Sequence, residues 1–368
     1  MRPHKGEGKM TSEKQPMTIQ TSEWVSLGHA DKTSDFVSSY ILDEYLRRDP
    51  GVRYALEVQI KDNHVILGGE VSSSADIGAD EVRRLVRDAI GAVGYTHAYA
   101  AKWGDGNALD CDNLDVAQYI SRQSPDIAQG VDQDGWGDQG IFWGMATNDS
   151  AFGNLTRDYY WARKVGSALY RKALAGEIAV GLDIKTQVEV SDGGPQSVIV
   201  AAPMLDERPR EDVVRIVRDE VGASGVIPEI VVNGTGRYVR HSSMGDCGTT
   251  GRKLAVDFYG GNCRIGGGSP WTKDPSKADL TLNLYARLLA LRYVRAHSDC
   301  PVVYVSISCC IGRRAVRIAY FDQRNELIET HIEDRPASEV IGELGLRRPI
   351  YADLCRSGLF SAVDASFS

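Results

Sequence analysis

The chain has 368 residues, 42% of them hydrophobic and 25% charged, with a formal net charge of −8. That length suits two or three soluble domains, and the acidic balance excludes a general nucleic-acid binder. No run is apolar enough to span a membrane, and the first twenty residues hold Lys5, Lys9 and Lys14 without the apolar stretch of a secretory signal. Residues 1–18 read as a disordered tail, in which Met10 or Met17 could also serve as the start. Seven cysteines, an odd number without a C-x-x-C pair, read as buried reduced thiols and so predict a cytoplasmic protein.

In chain order, the β-rich runs Arg53–Ile60 and Val65–Val71 predict a hairpin. An amphipathic helix follows over Asp80–Gly91, with Val82, Leu85, Val86 and Ile90 on one face. The Gly-, Asp- and Asn-rich segment Trp103–Gly140 reads as loops around one helix. Lys185–Val190 and Ser197–Ala202 predict a second hairpin. The helix after it, Glu211–Gly222, repeats the first with Val213, Ile216, Val217 and Val221. Arg87 matches Arg218, and Gly91 matches Gly222 as a helix stop. A longer helix is predicted from near Pro275 to about His297, with Asp274 as N-cap. Val302–Ser308 and Ala315–Phe321 predict a third hairpin before a short helix near Ser338–Leu344. Cys309 and Cys310, adjacent in an apolar run, are expected on opposite faces of a strand. The fold class is therefore α/β of the α+β type, built from three β-hairpin-plus-helix units. Each sheet would lay one face on helices. The faces left over would pack together or be covered in an oligomer.

The chemistry concentrates between Asn233 and Asp279. Glycine turns there alternate with Arg237, Arg252, Lys253, Lys273 and Lys277, and with Asp246 and Asp279. Glycine lets backbone approach a ligand, cations hold phosphates, and carboxylates hold magnesium that bridges phosphate oxygens. Taken singly, each charge could be a solvated surface group or a turn cap. As a cluster they predict a polyphosphate site.

Longer motifs resemble one family. They are S-E-W-V-S-L-G-H-A-D-K (22–32), G-G-E (68–70), Q-S-P-D-I-A-Q-G-V-D (123–132), G-D-Q-G (137–140), D-I-K-T-Q-V (183–188), G-D-C-G-T-T-G-R-K (245–253) and K-D-P-S-K (273–277). In this order they resemble the S-adenosylmethionine synthetases, over roughly Ile19 to Phe360. The resemblance implies three α/β domains about a pseudo-threefold axis, with boundaries near 19–122, 123–232 and 233–368 and a lid loop near 132–137. It implies sheets that form a flat dimer interface, hence a homodimer or homotetramer. It also implies ATP and L-methionine as substrates, with Mg²⁺, two per site, and K⁺ as cofactors.

The site roles are carried over in the same way. His29 would donate to the leaving oxygen, beside Lys185, Arg252 and Lys273 on the triphosphate. Asp183, Arg237, Tyr238, Asp246, Lys253 and Ser269 would hold the nucleotide, with the Tyr238 ring on adenine. Glu70, Gln123, Asp246, Lys277 and Ile311 would hold methionine. Asp31 and Asp279 would bind magnesium and Glu57 potassium. The sequence departs from the family at Leu27, Ala30, Trp136 and Gly234, in a short lid, and in G-G-G-S-P-W-T-K where G-G-G-A-F-S-G-K is usual. Two other readings stay open: a non-catalytic nucleotide-binding subunit that modulates a synthetase, and a triphosphatase with weakened methionine binding.

Overall fold

The structure, a computed structural model, describes residues 19–122, 134–191 and 194–364. The expected tail over 1–18 and the motif Gln123–Asp132, with its candidate Gln123, lie outside those residues. In chain order the main elements are β1 (Ile19–Val25), α1 (Ala30–Arg48), β2 (Arg53–Lys61), β3 (His64–Ser72), α2 (Ala79–Val93), α3 (His97–Trp103), β4 (Asp115–Ser121) and β5 (Gly140–Thr147). Then come α4 (Arg157–Leu174), β6 (Lys185–Ser191), β7 (Gly194–Ala201), α5 (Pro209–Val221), β8 (Glu229–Val232) and β9 (Gly248–Thr249). Last are α6 (Ala278–Ala296), β10 (Val302–Cys309), β11 (Ala315–Phe321), β12 (Leu327–Asp334), α7 (Ala337–Glu343) and α8 (Tyr351–Ser357).

The three predicted hairpins are the middles of three four-stranded sheets, in the orders β9-β2-β3-β4, β1-β6-β7-β8 and β5-β10-β11-β12. Alternation decides which face is buried. Tyr54, Leu56, Val58 and Ile60 point inward from β2, as do Val303, Val305 and Ile307 from β10. A long helix covers each inner face: α1 on β2, α4 on β1 and β6, and α6 on β5 and β10. A helix that follows the hairpin packs beside it, pairing α1 with α2, α4 with α5 and α6 with α7. The fold is thus a thrice-repeated hairpin-plus-helix unit. The outer sheet faces carry exposed apolar side chains among polar ones, including Ile66, Tyr119, Ile199 and Ile332.

Each sheet is completed by a strand from another part of the chain. β1 pairs with β6 at Ser22↔Val188, β5 with β10 at Gly144↔Val305, and β9 with β2 at Gly248↔Ile60. The long helices are buried on nearly all sides, so their polar residues bond internally. Ser38 Oγ donates to Leu56 O at 2.8 Å, and the Asp43 carboxylate accepts the Tyr351 and Ala352 N–H groups at 2.8 and 2.9 Å, starting α8.

Several local expectations change. The segment after Trp103 contains strand β4, parallel to β3, which its loop-like composition hid. Gly91 does not stop α2. The helix runs on to Gly94, which takes φ 112, and the equivalent left-handed glycine of the second unit is Gly225 at φ 71. Gly222 does end the second unit's helix, as its C-cap, and a single 3-10 turn over Gly222–Ser224 leads on to Gly225, so only the first unit's stop moves, by three residues. Asp274 does not cap α6, whose N-cap is Lys277. Its carboxylate instead accepts Tyr54 N–H and Ser276 N–H, both at 2.9 Å, which pins the preceding turn to β2. All seven cysteines are free, but only Cys111, Cys263 and Cys355 are buried, and Cys310 is exposed past the end of β10. No helix among the described residues is long and apolar enough to cross a membrane.

Candidate active site

Two of the long helices begin with the same local chemistry. In α1 the N-cap is His29 and Asp31 follows two residues on; in α6 the N-cap is Lys277 and Asp279 follows two residues on. A carboxylate in the first turn suits the positive end of the helix. In both cases a glycine-bearing loop donates a backbone N–H to one oxygen and a lysine donates to the other. Asp31 Oδ1 accepts Thr249 N–H at 2.9 Å and Oδ2 accepts Lys253 Nζ at 2.6 Å. Asp279 Oδ1 accepts Gly268 N–H at 2.7 Å and Oδ2 pairs with Lys273. The third long helix, α4, repeats the spacing with Thr156 and Asp158. There Asp158 is fully buried against Ser22 and Asn262, with no lysine. The threefold repeat therefore supplies three such carboxylates, and two of them face cations.

Around Asp31 the structure gathers His29, Asp183, Lys185, Asp246, Arg252 and Lys253. The His29 Nδ1 accepts the Asp31 N–H at 3.1 Å. Burial, with Lys185 and Lys253 nearby, lowers its pKa to about 3, so the ring is neutral at pH 7 and its proton sits on Nε2. Burial tends to raise the Asp31 pKa, but Lys253 and the Thr249 N–H hold it below its ordinary value. Arg252 is exposed, lies 3.7 Å from Asp31 and donates to Cys247 O at 3.1 Å. Asp183 accepts the Ser242 N–H at 2.9 Å, and burial raises its pKa to about 6. Its Oδ1 is buried without a partner, an acceptor left open. Asp246 is exposed and caps only its own turn, through Cys247 N–H at 2.8 Å. Arg237 is exposed, and it donates from its backbone N–H to Glu207 at 3.1 Å and from its guanidinium to Leu205 O. Tyr238 is half-buried and donates to Asp183 O at 3.3 Å.

The second cluster holds Lys273, Lys277 and Asp279. Burial lowers the Lys277 ammonium below its ordinary pKa, against the pull of Asp274 and Asp138. Strand β2 joins the two clusters. Its Ala55 bridges Lys273 and pairs with Glu70 on β3, while Glu57, two residues on and exposed, accepts the Thr250 hydroxyl. Glu57 therefore lies on the exposed face of β2, with a hydroxyl as its partner. Ser269 is buried and accepts the Trp271 N–H at 3.2 Å. Ile311 is exposed in the β10–β11 turn, beside Trp136, whose N–H donates to Arg313 O at 3.0 Å.

Reading the sequence missed Asp138, although it sits in the G-D-Q-G motif and acts on Lys277 and Cys309. It also missed Asp35, one helical turn after Asp31, which accepts the Gly251 N–H at 2.9 Å. The i, i+4 spacing on α1 was the available signal.

Residues 17–125 match the family model described as S-adenosylmethionine synthetase, N-terminal domain, and residues 241–368 match the C-terminal domain of the same family. The chain belongs to the S-adenosylmethionine synthetase family. It is thereby an enzyme of the methionine adenosyltransferase class. The S-adenosylmethionine synthases of Desulforudis audaxviator and Oleidesulfovibrio alaskensis are 33% and 32% identical to it, over 94% and 95% of this chain and 93% of each relative. A solved S-adenosylmethionine synthetase from Campylobacter jejuni, described as unusual, superposes with a TM-score of 0.80 at 28% identity, covering 95% of this chain and 99% of that one.

Two predictions arise from the way this synthetase builds its site. Gly248 lies against the Ala30 carbonyl, and a methyl group there would collide with backbone. Gly248→Ala should cost about 3 kcal/mol of stability, near the top of the range for overpacking. Unchanged urea midpoints and slopes would show that β9 can slide instead. The second concerns His241, buried beside Trp103 with ring centroids 4.7 Å apart. Its Nδ1–H donates to Val239 O at 2.7 Å, so Nε2 accepts from Tyr99 OH at 2.8 Å. Burial lowers its pKa to about 4. The unfolded chain takes up this proton near pH 6.5 and the folded one only near pH 4, so stability falls as pH drops between them. Relative to His241→Gln, the parent should lose about 3 kcal/mol over that window. Parallel pH curves for the two proteins would count against a neutral His241.

Proposed function

We propose that the chain joins the methionine sulfur to C5′ of ATP, expels triphosphate, and hydrolyses it to pyrophosphate and phosphate. The observation that carries this reading is the pair of lysine-bound aspartates at two helix starts, joined by β2. A thioether needs no activating base, so the barrier lies in alignment and in charge that gathers on the leaving group. Lys185, Arg252, Lys253 and Lys273 meet that charge, and the neutral His29 offers Nε2–H to the departing oxygen. Asp183 Oδ1 supplies an acceptor to the nucleoside, and Glu70, Lys277 and Asp246 receive methionine. Arg237, Tyr238, Ser269, Gln123 and Ile311 complete the substrate set by family position.

The carboxylates suit a hard cation with oxygen ligands, because each presents anionic oxygens oriented by a backbone N–H, and the lysine now on each would give way to the ion. Asp31 and Asp279 are the residues that would hold Mg²⁺. Bound there, Mg²⁺ would neutralise phosphate charge. Glu57, with the Thr250 hydroxyl, is the K⁺ candidate. The exposed outer sheet faces support assembly as a dimer at least. The three parts of the chain, 19–122, 123–232 and 233–368, remain our proposed domains.

The test is incubation with ATP, L-methionine, Mg²⁺ and K⁺, read by mass spectrometry and phosphate analysis. S-adenosylmethionine with matching pyrophosphate and phosphate is the expected result. Phosphate from added triphosphate alone would point to a triphosphatase, and ATP binding without product to a regulatory subunit.

A further inference from the structure

Trp271 is one of the departures from the family sequence in the phosphate loop, and its side chain is fully buried. The indole N–H donates to Asp257 Oδ2 at 2.8 Å. The Lys32 ammonium sits 4.6 Å from the ring centroid. Lys32 is itself buried and donates to Asp257 Oδ1 at 2.5 Å and to Asp35 Oδ2 at 3.1 Å. Asp35 Oδ1 accepts the Gly251 N–H at 2.9 Å. Gly251, at φ 74, has Ser269 Cβ 2.8 Å from where its own Cβ would lie, and Ser269 Oγ accepts the Trp271 backbone N–H at 3.2 Å.

These contacts close a ring through two loops and α1. One loop carries Arg252 and Lys253, and the other carries Lys273. At the centre a single lysine lies between two buried aspartates. A buried carboxylate is tolerated only when its oxygens are met, and the Trp271 N–H meets the Asp257 oxygen that Lys32 does not. The serine usual at this place in the family has no ring to lay against Lys32.

We propose that Trp271 is a positioning residue that sets the spacing of the two cation-bearing loops through Asp257, Lys32 and Asp35. It acts behind the site and touches no substrate. The proposal rests on the synthetase reading for its effect on rate, and on geometry alone for its effect on triphosphate binding.

Trp271→Phe keeps the ring and removes the N–H. Trp161→Phe is the packing control, because Trp161 is also buried but its indole nitrogen has no partner. For Trp271→Phe we expect kcat to fall about tenfold with the methionine KM within about twofold. We also expect the Kd of imidotriphosphate, measured by calorimetry, to rise about tenfold. Trp161→Phe should leave all three at parental values, even where it lowers the melting temperature as much. Parental kcat and Kd in Trp271→Phe would overturn the proposal, as would equal losses in Trp161→Phe. If the parent makes no S-adenosylmethionine, the synthetase reading fails, and the two Kd shifts still decide whether Trp271 positions the loops.

Discussion

Asp31→Asn should lower S-adenosylmethionine formation by at least about 10³-fold, the scale on which a bound metal ion or fixed charge stabilises a reacting phosphate. The asparagine keeps the shape and can still accept the Thr249 N–H. What it loses is the charge that holds Lys253 at 2.6 Å and draws Arg252 to 3.7 Å. Its amide NH₂ would face the Lys253 ammonium, donor against donor, and the loop's cations would lose their fixed position. Magnesium should no longer rescue the rate at any concentration that leaves ATP soluble. The melting temperature should change little, because Asp31 sits at a helix start that His29 still caps. A variant with a parental rate would overturn the proposed metal role of Asp31.

Lys273→Ala should stop both S-adenosylmethionine formation and hydrolysis of added triphosphate, each by roughly 10³-fold. The side chain is half-buried and pairs with Asp279, while its backbone forms the bridge to Ala55. That bridge needs no side chain, so the loop should stay on β2. Asp279 keeps its bond from Gly268 N–H and loses only its cation. If synthesis stops and triphosphate hydrolysis continues, Lys273 serves the first step alone. If the chain modulates a partner synthetase equally well with and without Lys273, the regulatory reading replaces the catalytic one.

The hairpins were legible because each strand alternates over a full half-buried face, and the helices after them because valine and isoleucine recur at helical spacing. Strand β4 was hidden because its polar and apolar residues do not alternate cleanly; Val116 and Ile120 are only half-buried and Tyr119 is exposed. The charged residues of the site could be named from motifs, but their pairing could not. Asp31 meets Lys253 only because β9 crosses the chain to lie on β2, and sequence spacing carries no trace of a contact across more than two hundred residues. The buried lysine of α1 was also out of reach. A G-H-A-D-K run shows a charge, and only the packing of Trp271 and Asp257 shows that it lies inside.

The exchanged edge strands bear on how this protein is made. When the first 122 residues have left the ribosome, β1 has no partner and β2 has an open edge, since β6 and β9 are still to be translated. Unpaired strand edges invite pairing with other chains. The nascent chain must therefore wait, exposed, for more than half of its length. Fragments cut at the sheet-to-sheet connections should aggregate rather than fold, and the full chain should draw on chaperones until residue 249 emerges.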